Sequence, residues 1–232
     1  MKDSTYRNLE STMVRYRDLI RVPVADNGEP IVQLSSELGP KVIVRKSVLA
    51  KLVKARAILR KASPTLSLYL TCGYRAMEVQ TNRFVGKLLE IAKGKLFENP
   101  VDLYEEVHRF IAVPTVAGHP TGGAVDITIK DITSDRYLDF GAKQYDYSTK
   151  NCYVFAPMDN VARRNRLLLR KVMMRAGFAP FDGEWWHFSY GDREWAYYYK
   201  KPRAIYNQLS LLQVKKLLEG STTKMRHLTR LL

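Results

Sequence analysis

The chain has 232 residues, of which 46% are hydrophobic and 26% are charged, and its formal net charge is +15. This composition is ordinary for a globular protein and argues against a disordered chain. No run of about 18 apolar residues could span a membrane, and residues 1–14 lack the apolar core of a secretion signal. We therefore expect a single cytoplasmic domain over residues 1–232.

The first half of the chain predicts a wrapping segment, a strand and three helices. Residues 1–40 carry few regular signals, and their turn chemistry suggests a segment that wraps the core. Apolar residues at helical spacing follow Ser47, a suitable N-cap, and Leu66 to Cys72 alternates like a strand. Helical patterns return over residues 78–97 and 100–110.

The second half predicts two strand-like segments and two helices. A β-branched run over residues 123–130 favours a strand with Ala124, Asp126 and Thr128 on one face. Asp159 can cap a helix that ends near Ala176, before a left-handed Gly177. Residues 183–190 look strand-like. Residues 203–232 predict a basic helical extension, with one helix over 204–219 and a last turn or two over 222–232.

This order of elements favours an α+β domain in which a mainly antiparallel sheet packs against helices. Cys72 and Cys152 form no CxxC pair and are too few for a disulfide framework, so we expect two reduced thiols, with Cys72 packed in a strand. The sequence gives no indication of an oligomeric state.

Positive charge concentrates in two segments, residues 41–61, which contain no acidic residue, and the C-terminal tail. Such surfaces can attract nucleic acid or anionic lipid. A solvated basic face explains the same pattern without a partner, and no aromatic-rich RNA motif accompanies it. We therefore expect no specific nucleic-acid partner.

Two separated segments carry the residues of a metal site, His119-Pro-Thr-Gly-Gly-Ala-Val-Asp126 and Glu184-Trp-Trp-His187. Catalytic zinc takes three nitrogen or oxygen ligands and keeps a position for water. His119, Asp126 and His187 meet that need without a cysteine, and Glu184 is then free to act as a base. Tight turning at Gly122 and Gly123 would bring His119 and Asp126 to one ion.

The second segment poses a geometric problem, because residues three apart on a regular strand point to opposite faces. Glu184 and His187 can both reach the site only if the strand is bulged or begins irregularly near residues 183–185. We expect Trp185 or Trp186, or both, to pack in the core.

The chain resembles the zinc D,D-peptidases, and most closely the D-alanyl-D-alanine dipeptidases of the vancomycin-resistance type, in which HxxGxAxD and ExxH segments carry the metal and the catalytic glutamate. The resemblance covers about residues 40–200. Further matching segments are Cys72-Gly-Tyr-Arg75, Leu138-Asp-Phe-Gly141 with Tyr145-Asp146, and Asn165-Arg-Leu-Leu-Leu-Arg170 running into Ala176-Gly-Phe178.

The resemblance implies a fold shared with the D,D-peptidases and the Hedgehog domains, and one Zn²⁺ per chain on His119, Asp126 and His187. It implies that Glu184 takes a proton from the zinc-activated water and that Arg75 stabilises the oxyanion. The implied substrate is the D-Ala-D-Ala dipeptide. Asp146 would bind its amino group, and Tyr74 would contribute to the same substrate site.

Two departures concern substrate binding and leave the metal site untouched. Ala117 stands where the dipeptidases usually have serine, and Lys143-Gln144 also differs from the family. His108 and His227 are each alone in their segments, so we expect ordinary surface or helix-end residues.

Three other functions remain open. The same chemistry could act on longer stem peptides, as a D,D-carboxypeptidase or another cell-wall peptidase. The fold could serve as a zinc-binding module without catalysis, against which Glu184 and Arg75 argue. The basic surface could itself be the function, through RNA or membrane binding.

Overall fold

The computed structural model describes residues 2–36 and 39–219. The helices are α1 Lys2–Ser11, α2 Tyr16–Leu19, α3 Lys46–Ala62, α4 Met77–Gly94, α5 Pro100–His108, α6 Asn160–Ala176, α7 Arg193–Tyr198 and α8 Leu211–Glu219. The strands are β1 Ile31–Ser36, β2 Gly39–Arg45, β3 Leu66–Cys72, β4 Ala124–Asp131, β5 Arg136–Tyr137, β6 Ala179–Pro180 and β7 His187–Ser189. Within the described ranges, no helix is long and apolar enough to cross a bilayer.

The main sheet has the order β3-β4-β7-β6, with β5 paired to the end of β4, and every pair in it is antiparallel. Strands β1 and β2 form a separate antiparallel hairpin. The predicted α+β class with a mainly antiparallel sheet is confirmed.

One face of the main sheet is covered by helices and the other carries polar side chains. Leu68 and Leu70 of β3 pair with Ile129 and Ile127 of β4, and all four lie in the main core with the apolar side of α3. Because side chains alternate along β4, Ala124, Asp126 and Thr128 point to the opposite face. We call that second face the open face of the sheet.

Several predicted elements are confirmed within a few residues, namely α4, α5, β3 and β4. Helix α6 matches best, because its ends carry the predicted signals. The Asp159 side chain accepts hydrogen bonds from the backbone of Val161 and Ala162, and Gly177 follows the helix at φ 102°.

Residues 1–40 contain two helices, β1 and the beginning of β2, although they show few regular signals, and their role as a wrapping segment stays a prediction. Two predictions about the elements are wrong. Ser47 is not an N-cap, because α3 begins one residue earlier and a carboxylate oxygen of Glu29 accepts the Ser47 backbone N–H. Helix α8 begins at Leu211 and not at 204, because backbone groups of Ala204 and Leu209 donate to Pro23 and Pro120. Residues 220–232, with His227, lie outside the described residues.

Candidate metal and active site

Three neighbouring strands place three side chains side by side on the open face. Cys72 on β3 and His187 on β7 are both Cα partners of Asp126 on β4. Paired residues on adjacent strands point to the same face, so the three side chains converge. Asp126 is 1% exposed and His187 is 7% exposed, so the cluster lies beneath the surface.

His119 joins this cluster from a short 3-10 turn, His119–Thr121, that precedes β4. The next residue, Gly122, has φ 72°, a left-handed conformation that glycine adopts without steric cost. Gly123 lets the chain pass close to β7, since a Cβ there would lie 2.4 Å from the Tyr190 carbonyl oxygen. The predicted tight turn at these two glycines is confirmed.

Both histidines contact the same carboxylate oxygen. His119 Nε2 lies 3.2 Å from Asp126 Oδ1, and His187 Nδ1 lies 3.1 Å from it. The two rings are nearly perpendicular, with centroids 4.9 Å apart. Tetrahedral ligands at zinc bond lengths are about 3.3 Å from one another, so these two separations suit a metal centre.

Each histidine has its other ring nitrogen hydrogen bonded, which fixes its tautomer. His119 Nδ1 lies 2.7 Å from the Gly73 carbonyl oxygen, which can only accept, so Nδ1 carries the proton. His187 Nε2 lies 3.2 Å from Glu194 Oε2 and 3.3 Å from Ser189 Oγ. Because the outer nitrogens keep their protons, His119 Nε2 and His187 Nδ1 are the nitrogens that would bind a metal once it displaces the inner protons.

The second oxygen of Asp126 is held by two more groups. The Tyr145 hydroxyl donates to Asp126 Oδ2 at 2.9 Å, and Arg75 Nη2 lies 3.5 Å from it. Tyr145 has φ 64°, an uncommon conformation for a tyrosine, and such strain persists where surrounding contacts enforce it. Asp126 therefore directs Oδ1 to the two histidines, while Tyr145 and Arg75 hold Oδ2 in place.

Glu184 lies in a turn just before β7, which resolves the geometric problem of the ExxH spacing. The Glu184 backbone N–H donates to Phe181, and that of His187 donates to Glu184, so regular strand begins only at His187. The predicted irregular strand start is confirmed. Glu184 Oε1 accepts from the Tyr147 hydroxyl at 2.9 Å, while Oε2 lies 3.9 Å from His187 Nδ1.

Arg75 follows β3 and reaches back over the cluster. Its Nη1 donates to Gln80 Oε1 at 2.9 Å, and Gln80 Nε2 donates to the Ala112 carbonyl at 2.8 Å. Gln80 is fully buried in the first turn of α4, so it holds one side of the guanidinium firmly. The other side, at Nη2, faces Asp126 and the Cys72 thiol.

The electrostatics of the cluster favour a bound cation. Burial alone lowers the pKa of His119, but the Asp126 carboxylate outweighs it and raises that pKa to about 9. Burial also lowers the pKa of His187, yet the Glu194 and Asp126 carboxylates outweigh it and raise that pKa well above its ordinary value. Because both histidines bind protons this strongly, the site has a negative potential that a divalent ion would relieve.

The donor set fits a metal by composition as well as by charge. Two overlapping sets of side chains have ligand atoms within 4.8 Å of one another, Cys72 with His119 and Asp126, and Asp126 with Glu184 and His187. Asp126 belongs to both, which makes it the centre of the arrangement. Cys72 was not expected in the cluster. Its Sγ lies 3.9 Å from His119 Nδ1, the nitrogen that faces away from Asp126.

Glu184 has the environment of a general base. Burial raises the pKa of its carboxyl group to about 7, although His187 and the Tyr147 hydroxyl act in the opposite direction. A base with a pKa near the working pH transfers protons most effectively. A cation on the neighbouring ligands would lower this pKa and keep Glu184 ionised.

A narrow cleft opens onto these groups. It is lined by apolar side chains and by the polar groups of the site, namely Phe110, Ile111, Ala117 and Phe181, and His119, Asp126, Glu184, His187, Arg75 and Tyr147. Polar groups therefore lie at the base of a cleft with partly apolar walls, as is usual for a small-molecule site.

Asp146 and Tyr74 are not brought to this cleft. Asp146 is exposed, and its Oδ1 accepts from the backbone and hydroxyl of Ser148. The Tyr74 hydroxyl donates to the Leu209 carbonyl at 2.9 Å, and the side chain packs against the small core cluster that contains Ile31 and Leu209. Neither residue lines the cleft, and their substrate roles stay predictions.

His108 differs in part from expectation, whereas the two tryptophans agree with it. His108 ends α5, as a helix-end residue should, but it is buried and lines the cleft, with Nδ1 accepting from the Val113 backbone. Trp185 and Trp186 are both buried, so core packing is confirmed for both. Trp185 stacks on Phe140 at 4.0 Å.

Sequence reasoning did not identify the supporting groups Glu194, Tyr147 and Gln80, nor a role for the Tyr145 side chain. A general rule could have anticipated Glu194, because a ligating histidine usually donates its second N–H to a carboxylate. Nothing in the segment Asp192 to Tyr199 marks which acid does so. Gln80 was detectable as a polar residue that interrupts the apolar stripe of α4.

Replacing Glu194 by alanine is expected to weaken metal binding by about 10- to 100-fold, since the residue fixes the His187 ring and its tautomer. Glu90→Ala, on the exposed side of α4, is the matched control. The melting temperatures of the two variants are compared first, to show that both are folded. Their metal affinities are then measured by competition with a chelator of known affinity. Equal affinities of the folded Glu194→Ala protein and the control would show that Glu194 does not support the site.

Two buried histidines and a carboxylate on an open sheet face, with a separate, partly buried glutamate beside them, define the composition of a metallohydrolase site. Comparison with known proteins agrees. The family model described as D-ala-D-ala dipeptidase (Peptidase_M15) matches residues 32–208, most of the chain. The protein belongs to this peptidase family.

Individual relatives carry the same description. A D-alanyl-D-alanine dipeptidase of Synechocystis is 29% identical over 223 residues, which covers 78% of this chain and 90% of that protein. A D-alanyl-D-alanine dipeptidase of Escherichia coli is 35% identical over 79 residues, covering 34% and 40% of the two chains. Among solved structures, the D,D-pentapeptidase VanY with Zn(II) matches at 19% identity and TM-score 0.45, covering 87% of this chain and 98% of that chain.

Proposed function

We propose that this peptidase is a zinc-dependent D-alanyl-D-alanine dipeptidase, with zinc held by His119, Asp126 and His187. The observation that carries the proposal is the contact of both histidines with Asp126 Oδ1 while each outer nitrogen is hydrogen bonded elsewhere. The substrate assignment follows the Synechocystis relative, whose length this chain nearly spans.

When bound, zinc supplies a Lewis acid that polarises a carbonyl and lowers the pKa of a coordinated water to about 7. Glu184 accepts a proton from the attacking water on Oε2, because Oε1 is occupied by the Tyr147 hydroxyl. The water oxygen bonds to the carbonyl carbon. Glu184 then returns the proton to the amine as the C–N bond breaks.

Arg75 supports the negative charge that develops on the carbonyl oxygen. A guanidinium is always charged and presents paired donors, and this one is oriented before the substrate arrives by Gln80. Burial alone lowers the pKa of Arg75, yet nearby Cys72 and Asp126 raise that pKa above its ordinary value. The group therefore offers a fixed positive charge without reorganisation.

A second candidate, a D,D-carboxypeptidase that acts on longer stem peptides, is favoured by one observation. A free dipeptide has an amino group that needs an acidic partner, and Asp146 lies outside the cleft. In a peptide extended at its N-terminus, that nitrogen belongs to an amide and carries no charge that needs an acidic partner.

The two candidates differ in the substrates they prefer. A dipeptidase that pairs the free amine with a carboxylate should cleave D-Ala-D-Ala at least about tenfold faster than its N-acetyl derivative or a stem pentapeptide, because a charge-assisted hydrogen bond is lost. The measurement is kcat/KM for the three substrates with the zinc-loaded protein. Equal or higher values for the blocked or longer substrates would replace the dipeptidase by the carboxypeptidase.

Asp146→Asn tests whether that carboxylate is the partner of the amine. If Asp146 moves to the substrate, the variant should lose activity toward the free dipeptide. Its activity toward the N-acetyl derivative should be unchanged. An equal response to both substrates would remove Asp146 from substrate recognition.

A further inference from the structure

Helices α3 and α6 lie side by side on the covered face of the sheet and form one outer layer. Leu49 and Leu52 of α3 and Leu169 and Met173 of α6 belong to the same core. Since both helices bury one side against the sheet, their other sides face the solvent in the same direction. That surface is opposite to the open face that carries the metal-site cluster.

This surface is strongly basic, because neither α3 nor α6 contains an aspartate or a glutamate. Eight of its cations are exposed, namely Lys46, Lys54, Arg60, Lys61, Arg163, Arg164, Lys171 and Arg175, and we call these eight the basic helix face. Among the described residues, no carboxylate oxygen forms an ion pair with them, whereas the half-buried Arg170 pairs with Asp182. The Asp159 carboxylate next to α6 is used by the helix N-terminus.

Apolar side chains interrupt the basic helix face near the beginning of α6. Val161 is 49% exposed and Leu167 is 42% exposed. The exposed Phe155 ring lines the same surface pocket as Leu167, with the Arg170 guanidinium 5.3 Å from its centroid. Exposed aliphatic groups contribute little to the binding of nucleic-acid phosphates, whereas a bilayer interface takes up apolar groups and attracts the surrounding cations.

We propose that the basic helix face docks the protein on an anionic lipid bilayer. The two helices pack about 8–10 Å apart, so their two rows of cations form a broad surface. A broad surface fits a plane of negative headgroups better than it fits a narrow groove. Val161, Leu167 and Phe155 enter the headgroup region. The cleft on the opposite side of the sheet stays open to the solution, so docking leaves hydrolysis unaffected.

Flotation with vesicles tests the proposal with the full chain. We expect binding to vesicles of phosphatidylcholine with about 30% phosphatidylglycerol, none to phosphatidylcholine alone, and a steep loss of binding when salt is raised. The triple variant Arg164→Gln, Lys171→Gln and Arg175→Gln should partition about 100-fold more weakly, at about fivefold per cation removed. Should that variant fail to fold, Lys46→Gln, Lys54→Gln and Lys61→Gln on α3 provides the same test.

The matched control removes three exposed cations elsewhere, with Arg83→Gln, Lys93→Gln and Arg203→Gln. This variant has the same net charge as the α6 triple and should bind nearly as well as the wild type. The proposal is overturned if the control loses as much vesicle binding as the α6 triple variant, or if the wild type does not bind anionic vesicles.

Leu167→Ser separates a bilayer from a nucleic acid. It should weaken vesicle binding several-fold and leave binding to a short DNA duplex unchanged, because only the bilayer takes up the side chain. A wild type that binds the duplex more tightly than the vesicles, with no effect of Leu167→Ser on either, would assign the basic helix face to nucleic acid instead.

Discussion

Glu184→Gln is expected to retain zinc and to lose about 10²- to 10⁴-fold in kcat for D-Ala-D-Ala, the range for loss of a general acid–base. The amide keeps the shape and can still accept from the Tyr147 hydroxyl, so the fold should be preserved. What it lacks is a basic oxygen at the position of Oε2. Metal content and kcat are measured on the same preparation, so loss of metal cannot be mistaken for loss of the base.

Glu78→Gln, an exposed substitution at the beginning of α4, is the control for that result. Near-normal turnover by a fully metal-loaded Glu184→Gln protein would remove Glu184 from the mechanism. The zinc site itself would not be affected by that outcome.

Arg75→Lys is expected to lower kcat/KM by about 10²- to 10³-fold, the usual effect of losing one oxyanion donor. Lysine keeps the charge but cannot reach Gln80 and the substrate with paired, planar donors. Because the developing oxyanion needs this group more than the ground-state carbonyl does, the loss should appear in kcat and leave KM little changed.

Gln80→Leu tests whether the position of Arg75 matters apart from its charge. The guanidinium would lose its fixed partner, and we expect an intermediate fall in kcat that is smaller than the fall for Arg75→Lys. A change confined to KM in Arg75→Lys would place Arg75 in substrate binding and not in the transition state.

Elements with local signals could be predicted from the sequence, and elements fixed by distant contacts could not. Helix α6 carries its own cap and terminating glycine, and β3 alternates clearly, so both are predictable. The beginning of α8 depends on backbone hydrogen bonds from residues 204–209 to Pro23 and Pro120. No local pattern encodes those partners.

The same distinction applies to the site. His119, Asp126, Glu184 and His187 belong to two recognisable motifs, and the fold brings all four together. Glu194 supports His187 through a contact between α7 and β7, which no local pattern encodes. Asp146 also belongs to a recognisable motif, but it lies in an exposed turn where its Oδ1 accepts from Ser148, and its substrate role stays a prediction.

The zinc bound per chain after dialysis tests the central claim most directly. The account predicts one zinc in the wild type and loss of zinc in each of His119→Ala, Asp126→Ala and His187→Ala, all still folded by circular dichroism. Asp126→Ala should have the lowest affinity, because its carboxylate is the contact shared by both histidines. One zinc retained at wild-type affinity by any of the three folded variants would contradict the assignment of that residue as a ligand. Retention by all three would contradict the metal site as a whole.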